Sequence, residues 1–268
     1  LAVMIIRSTS ASPQPDPIVM LQGGPGGSTI DTYAQLLFST AADLRARRDV
    51  VLFDQRGTLY SRPSLACTEE RDLVDHTLEQ RLTPEESTRL SLEATAACHD
   101  RLRSEGVNLA AFNSIENAAD VEALRVALGY QQINLYGVSY GTLLAQHVMR
   151  DHPSGLRSVV LDAVVPTSTN FVPDVARSAN RSFGELLAAC AAEPACAEAY
   201  PNLEQTLTEQ IARLNETPAR VPLTDPETGK TYQSVFDGDT LQGALFQMLY
   251  ATELLPLLTT HAESLLAA

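Results

Sequence analysis

Residues 133–145 read INLYGVSYGTLLA, and this stretch decides the fold. INLY makes a short apolar strand, Gly137-Val138-Ser139-Tyr140-Gly141 makes a sharp turn, and residues 140–150 have helical spacing. A serine at such a strand-to-helix turn is held in strained backbone geometry, and flanking glycines let strand and helix approach without side-chain clashes. The N-terminal end of the helix sets amide donors and the positive end of its dipole beside the serine oxygen. Gly-x-Ser-x-Gly alone also occurs in ordinary glycine-flanked turns. The strand before it and the helix after it make Ser139 a candidate nucleophile, and such a serine needs a base, normally a histidine.

Working outward, IVML (18–21), VVLF (50–53) and SVVLDAVV (158–165) are further continuous apolar runs. Continuous rather than alternating runs indicate strands covered on both faces, as in a parallel sheet. Helical spacing over 32–47, 84–104 and 115–128 gives an alternation of strand and helix. The class is α/β, with a doubly wound, mostly parallel sheet in residues 1–166. The opening LAVMII reads as one more strand, entered in mid-pattern.

The pattern changes after Pro166. Alanine-rich helical stretches follow at 175–192, 203–214, 241–250 and 254–266, with no strand series. The Pro- and Thr-rich segment NETPARVPLTDPETGKTY (215–232) separates two of them. Residues 167–268 are expected to form a helical cap inserted after a core strand. The closing HAESLLAA stops inside a helical pattern without a terminator. Both ends are therefore expected to be cut from a longer protein.

The chain has 268 residues, 44% hydrophobic, enough for a sizeable core. It lacks a run of about 18 apolar residues, so no membrane-spanning helix is expected. A net charge of −14 repels phosphate backbones and argues against nucleic-acid binding. Lys230 is the one lysine in the chain, a bias without a functional reading. The four cysteines, Cys67, Cys98, Cys190 and Cys196, allow three pairings. CAAEPAC (190–196) suits a local loop and the first two flank a polar excursion, so Cys67–Cys98 and Cys190–Cys196 is the simplest pairing. It would imply an oxidising compartment, and hence export. The alternative is four separate buried thiols in a cytosolic enzyme. C-x2-C spacing is absent and no Cys/His cluster resembles a zinc site, so neither a metal nor a cofactor is expected.

LQGGPGGS (21–28) follows the earlier strand, where an acyl-transfer site needs its second oxyanion donor. Glycines let the backbone turn an N–H inward, whereas Pro25 has none to give. Gly24 is the expected donor, with Gly26 and Gly27 next, and the partner donor is the Tyr140 N–H. A phosphate loop would need Gly-Lys-Ser/Thr, which is missing. In DQRGT (54–58), Asp54 and Arg56 are expected to pair with each other or to brace the Gly-Gly-Pro loop.

GGPGGS, DQRGT, the cysteine pair and LYGVSYGT, in this order, resemble the proline-iminopeptidase-like α/β-hydrolases. The secreted tripeptidyl-aminopeptidase branch is the closer match, and LLAACAAEPACAEAYPNLE (186–204) resembles its cap. The resemblance implies exported serine hydrolases that remove short peptides from free N-termini, some members acting as esterases. Leu59-Tyr60 departs from the family, which usually has glycine after DQRGT, and Gln22 stands where HGGPG has histidine.

The base is harder to find. Chain order in this fold is Ser, then Asp or Glu, then His. His147 lies on the same helix as the turn, about 12 Å along its axis from Ser139, out of reach. His152 sits at the helix end, and His76 and His99 precede the serine in the polar excursion. His261 has the right order but a cap-helix context, LLTTHAESLL. Asp162 ends the next strand and reads as structural or as lining the site, while Asp237 and Asp239 read as a helix entry. The triad Asp and His are therefore expected outside this chain, in a C-terminal remainder of the same protein. An aminopeptidase also needs acids for the substrate ammonium, and Glu185, Glu193 and Glu253 are candidates no better than surface carboxylates. A carboxylesterase on the same scaffold, or an inactive subunit or fragment needing its C-terminal partner, are the alternatives.

Overall fold

The computed structural model describes residues 1–226 and 228–251, without the side chains of 171 and 172. His261, Glu253 and the helix expected over 254–266 lie outside the described residues. Contacts divide the chain into two units, 1–70 with 92–169, and 71–91 with 170–268.

The first unit is built on a five-stranded sheet. Its elements are β1 (Val3–Ile6), β2 (Ile18–Leu21), α1 (Thr29–Tyr33), β3 (Val50–Phe53), α4 (Ser114–Ala127), β4 (Ile133–Val138), α5 (Tyr140–Asp151) and β5 (Leu156–Asp162). Helices α2 (Thr68–Thr77) and α3 (Pro84–Ser104) lie between β3 and α4 in the chain. The strand order is β1-β3-β2-β4-β5, with β1 antiparallel and the remaining pairs parallel.

Period-2 alternation sorts the strand side chains onto two faces. Val19, Leu21, Val51, Phe53, Ile133 and Leu135 pack with Val121, Leu144 and Val148 from α4 and α5. Met20, Val50, Leu52 and Ile6 pack with Leu37 on the other face, joined by Tyr33 and Tyr136. Both sides of β2 and β3 are thus covered, which is why their sequences are apolar without interruption. The β5 run promised the same, yet among the described residues only one of its faces is covered, and Val160 is 50% exposed.

From β2 the chain goes to β3 on one side, then crosses to β4 on the other. Ligands of open α/β sheets bind in the crevice at such a switch point, beyond the strands' carboxyl ends. The loops that leave β2 and β4 are those of LQGGPGGS and Ser139. The single helix read over 32–47 is instead α1 followed by two 3-10 turns, Leu36–Phe38 and Ala42–Arg45. Ser39 Oγ donates to the Gln35 carbonyl, a local bond that competes with helix continuation.

The second unit holds α6 (Phe171–Ala192), α7 (Pro194–Ala199), α8 (Leu203–Glu216), β6 (Ala219–Thr224), β7 (Thr231–Phe236) and α9 (Gly238–Met248). Leu214, Leu241 and Leu245 form its core with Phe183, Leu207, Ile211 and Phe236. The segment read as a plain separator is an antiparallel hairpin, β6 with β7. All of β6 is exposed, so it carries no apolar signature, and Pro222 further disguises it. Cys67 is bridged to Cys98, and Cys190 to Cys196. Among the described residues no helix is long and apolar enough to cross a membrane.

Candidate active site

Register fixes the centre of the site. Leu21 pairs with Gly137, so each chain runs two residues further before Gly23 meets Ser139. A β-carbon built on Gly23 would stand 2.8 Å from Ser139 Cβ and 3.1 Å from its Oγ. The role of Gly23 is not evident from sequence, because the contact joins two loops far apart in the chain; its signal is the first glycine of the GGPGG run.

Ser139 itself has φ 54° and ψ −122°, a conformation that L-residues rarely adopt. Its N–H donates to the Asp162 carbonyl at 3.0 Å, and its own carbonyl accepts from the Thr142 N–H and hydroxyl. These bonds hold the strained turn from both sides. A β-carbon on Gly137 would lie 2.5 Å from the Gly141 carbonyl oxygen, and one on Gly141 would lie 1.9 Å from that of Leu21. The flanking glycines are therefore demanded by close backbone approach.

The expected oxyanion donors adjoin this contact in the chain, Gly24 after Gly23 and Tyr140 after Ser139. Tyr140 opens α5, with its ring buried and its hydroxyl 2.8 Å from Ser114 Oγ at the start of α4. Among the described residues neither the Tyr140 nor the Gly24 N–H has a hydrogen-bond partner. Gly24 has φ +114° and Gly26 φ +102°, the region that favours glycine. The Gly27 N–H is already engaged by the Gly23 carbonyl.

The loop around Gly24 is braced from below. Asp54 is fully buried and accepts from the Ser28 hydroxyl, the Ile30 N–H and the Tyr60 N–H. Gln55 Nε2 donates to the Gln22 carbonyl at 3.0 Å. Asp54 thus braces the loop and does not pair with Arg56, which forms a two-pronged pair with Asp120 at 2.7 and 2.8 Å. The Gln22 side chain accepts from the Gly23 N–H and the Tyr33 hydroxyl and donates to Thr32. Its amide cannot titrate.

Beside Ser139, the Tyr136 hydroxyl donates to Asp162 Oδ2 at 3.0 Å. That bond, then burial, raises the Tyr136 phenol above its ordinary range. Burial, with Tyr136 and Asp162 adding to it, pushes Tyr33 up to about 12. The three side chains form one cluster on the sheet face away from α5.

Among the described residues nothing hydrogen-bonds to Ser139 Oγ, and no histidine is placed to serve it. His76 lies against the Asp72 carbonyl, and His99 pairs with Asp100. His147 is in α5 with Nδ1 buried and without a partner among the described residues, and burial together with Arg150 holds its imidazole below the ordinary range. His152 follows α5. Glu185 in α6 and Glu193 at its end are exposed residues of the second unit. Among the described residues no group of His, Cys, Asp and Glu could hold a metal ion.

The arrangement is a strained serine with free amide donors at a sheet switch point. A family model described as the alpha/beta hydrolase fold matches residues 16–234. "Serine protease Hip1" of Mycobacterium tuberculosis is 28% identical over 88% of this chain and 48% of its own length. "Tripeptidyl aminopeptidase" of Streptomyces coelicolor is 30% identical over 63% of this chain and 32% of its own. "Proline iminopeptidase" of Xanthomonas citri is 28% identical over 57% and 34%. The chain spans about half the length of these curated relatives, or less. With the sheet order, the turn at Ser139 and the family match over most of its length, the chain belongs to the α/β-hydrolase fold family.

Proposed function

We propose that the protein is a serine hydrolase that releases short peptides from free N-termini, of the tripeptidyl-aminopeptidase type. The observation that carries this reading is the left-handed φ of Ser139 at the β2/β4 switch point, in contact with Gly23. Ser139 Oγ attacks the scissile carbonyl and the amine leaves. The negative charge that develops on the carbonyl oxygen is held by the Gly24 and Tyr140 N–H groups, aided by the α5 dipole. Water then hydrolyses the acyl-enzyme. Removing one such donor typically costs about 10²–10³ in rate, so these amides carry a large share of the catalysis.

The triad Asp and His come from residues beyond those described, supplied by the C-terminal remainder of the protein. This reading is supported by β5, which among the described residues is the last strand on its side of the sheet, with Val160 50% exposed. The two disulfides favour an oxidising compartment and thus an extracytoplasmic location.

The test is a substrate panel with the full-length protein: tripeptide amides with free and N-acetylated amino ends, beside simple acyl esters. Turnover of the free-amine amides that disappears in Ser139→Ala supports the reading. Turnover of esters alone would make the protein a carboxylesterase.

A further inference from the structure

We propose that Asp162 is a specificity residue, whose carboxylate beside Ser139 receives a basic side chain on the residue whose carbonyl is attacked. The inference rests on the acyl-transfer reading of Ser139 and names the substrate class of that site.

The backbones of Ser139 and Asp162 are hydrogen-bonded to each other at 3.0 Å, so the carboxylate stands one strand away from the nucleophile. Asp162 is exposed at the carboxyl end of β5. Its Oδ2 is fixed by the Tyr136 hydroxyl, while Oδ1 has no hydrogen-bond partner among the described residues. No arginine, lysine or histidine forms an ion pair with it among the described residues either. The next residue, Ala163, is a non-glycine at φ 54°. Backbone strain of this kind collects at functional sites, and here it flanks the carboxylate.

Substrate geometry selects the cation. An extended peptide spans about 3.3–3.6 Å per residue. In a tripeptidyl acyl group the terminal ammonium is therefore two residues, roughly 7 Å, further from Ser139 than the amine of the attacked residue. What reaches a carboxylate one strand from Ser139 is the side chain of that residue. Tyr136, partly buried against the core with Tyr33, holds the acid in place through its hydroxyl, and a carboxylate so held suits a guanidinium or ammonium. The chain's net charge of −14 draws cationic substrates to it.

The experiment uses full-length protein and tripeptide amides differing only at the attacked residue: arginine, lysine, or norleucine as the uncharged counterpart of lysine. Wild type is expected to favour lysine over norleucine by about tenfold or more in kcat/KM, the scale of one charged hydrogen bond. Asp162→Asn is expected to bring that ratio to within about twofold, through KM, with the norleucine substrate little changed. Tyr136→Phe, which frees the carboxylate without removing it, is expected to lower the ratio part of the way. Fluorophosphonate labelling of Ser139 in each variant reports an assembled site. Ser139-dependent turnover whose lysine-to-norleucine ratio is the same in wild type and Asp162→Asn overturns the inference alone. Equal loss on all three substrates in Asp162→Asn overturns it too, because the residue is then structural. No Ser139-dependent turnover of any amide overturns the functional reading, and this inference with it.

Discussion

Gly141 packs so closely on Leu21 that a β-carbon on it would stand 1.9 Å from the Leu21 carbonyl oxygen. Backbone cannot yield as a flexible side chain can, so α5 would have to lift away from β2. Gly141→Ala is expected to destabilise the protein by about 3 kcal/mol, at the upper end of overpacking costs. It should also abolish labelling of Ser139. Urea denaturation and probe labelling check the two effects, and a variant of wild-type stability and reactivity would contradict the close approach.

Gly23→Ala strikes the turn at the nucleophile directly. Its β-carbon would stand 2.8 Å from Ser139 Cβ, which the backbone holds in place, and 3.1 Å from both Ser139 Oγ and the Val138 carbonyl oxygen. The turn must shift to admit it, so a loss of about 1–3 kcal/mol is expected, and displacing the reacting oxygen by about 1 Å costs roughly 10²-fold in rate. The probe-labelling rate and the denaturation midpoint measure the two losses, and wild-type values of both would contradict the contact.

The disulfides should differ in worth. Cys67 and Cys98 are 31 apart in sequence, Cys190 and Cys196 are 6 apart. On the loop-entropy scale the longer closure contributes about 3.5–4 kcal/mol and the shorter about 2. Paired serine substitutions at 67 and 98 are thus expected to lower urea stability more than those at 190 and 196. The reverse order would show native strain or residual denatured structure outweighing chain entropy.

Asp16 makes an acid-sensitive anchor under the sheet. Burial acts to raise its carboxyl, but the Asn134 amide, Arg48 and Arg157 outweigh it and hold it below the ordinary 3.8. A depressed carboxyl contributes stability that is present above its unfolded value and lost as pH falls through the folded one. Its contribution should therefore be intact above about pH 4 and fade below it. Asp16→Asn should flatten that part of the stability profile between pH 5 and pH 2, measured by urea titration at each pH.

Much of this architecture was legible in the sequence because local chemistry enforces it. The continuous apolar runs of β2 and β3 report two covered faces, and the glycines around Ser139 report a turn that no side chain could share. Other features depended on partners distant in the chain. Gly23 matters because register brings it to Ser139, and Arg56 turns to Asp120 rather than to the nearby Asp54. Residues 32–47 have helical spacing, yet Ser39 bonds back to Gln35 and the segment breaks into short turns. The β6–β7 hairpin is not legible in the sequence because β6 is solvated along its length and offers no alternation. Asp162 was read from its strand position alone; the Tyr136 bond and the strained Ala163 behind it appear only in three dimensions.

The most direct test of the central claim is the mass of the full-length protein after reaction with a fluorophosphonate, followed by peptide mapping. One phosphonyl adduct on Ser139, absent in Ser139→Ala, is the result this account predicts. An unmodified Ser139 in folded protein, or an adduct confined to another residue, would contradict it.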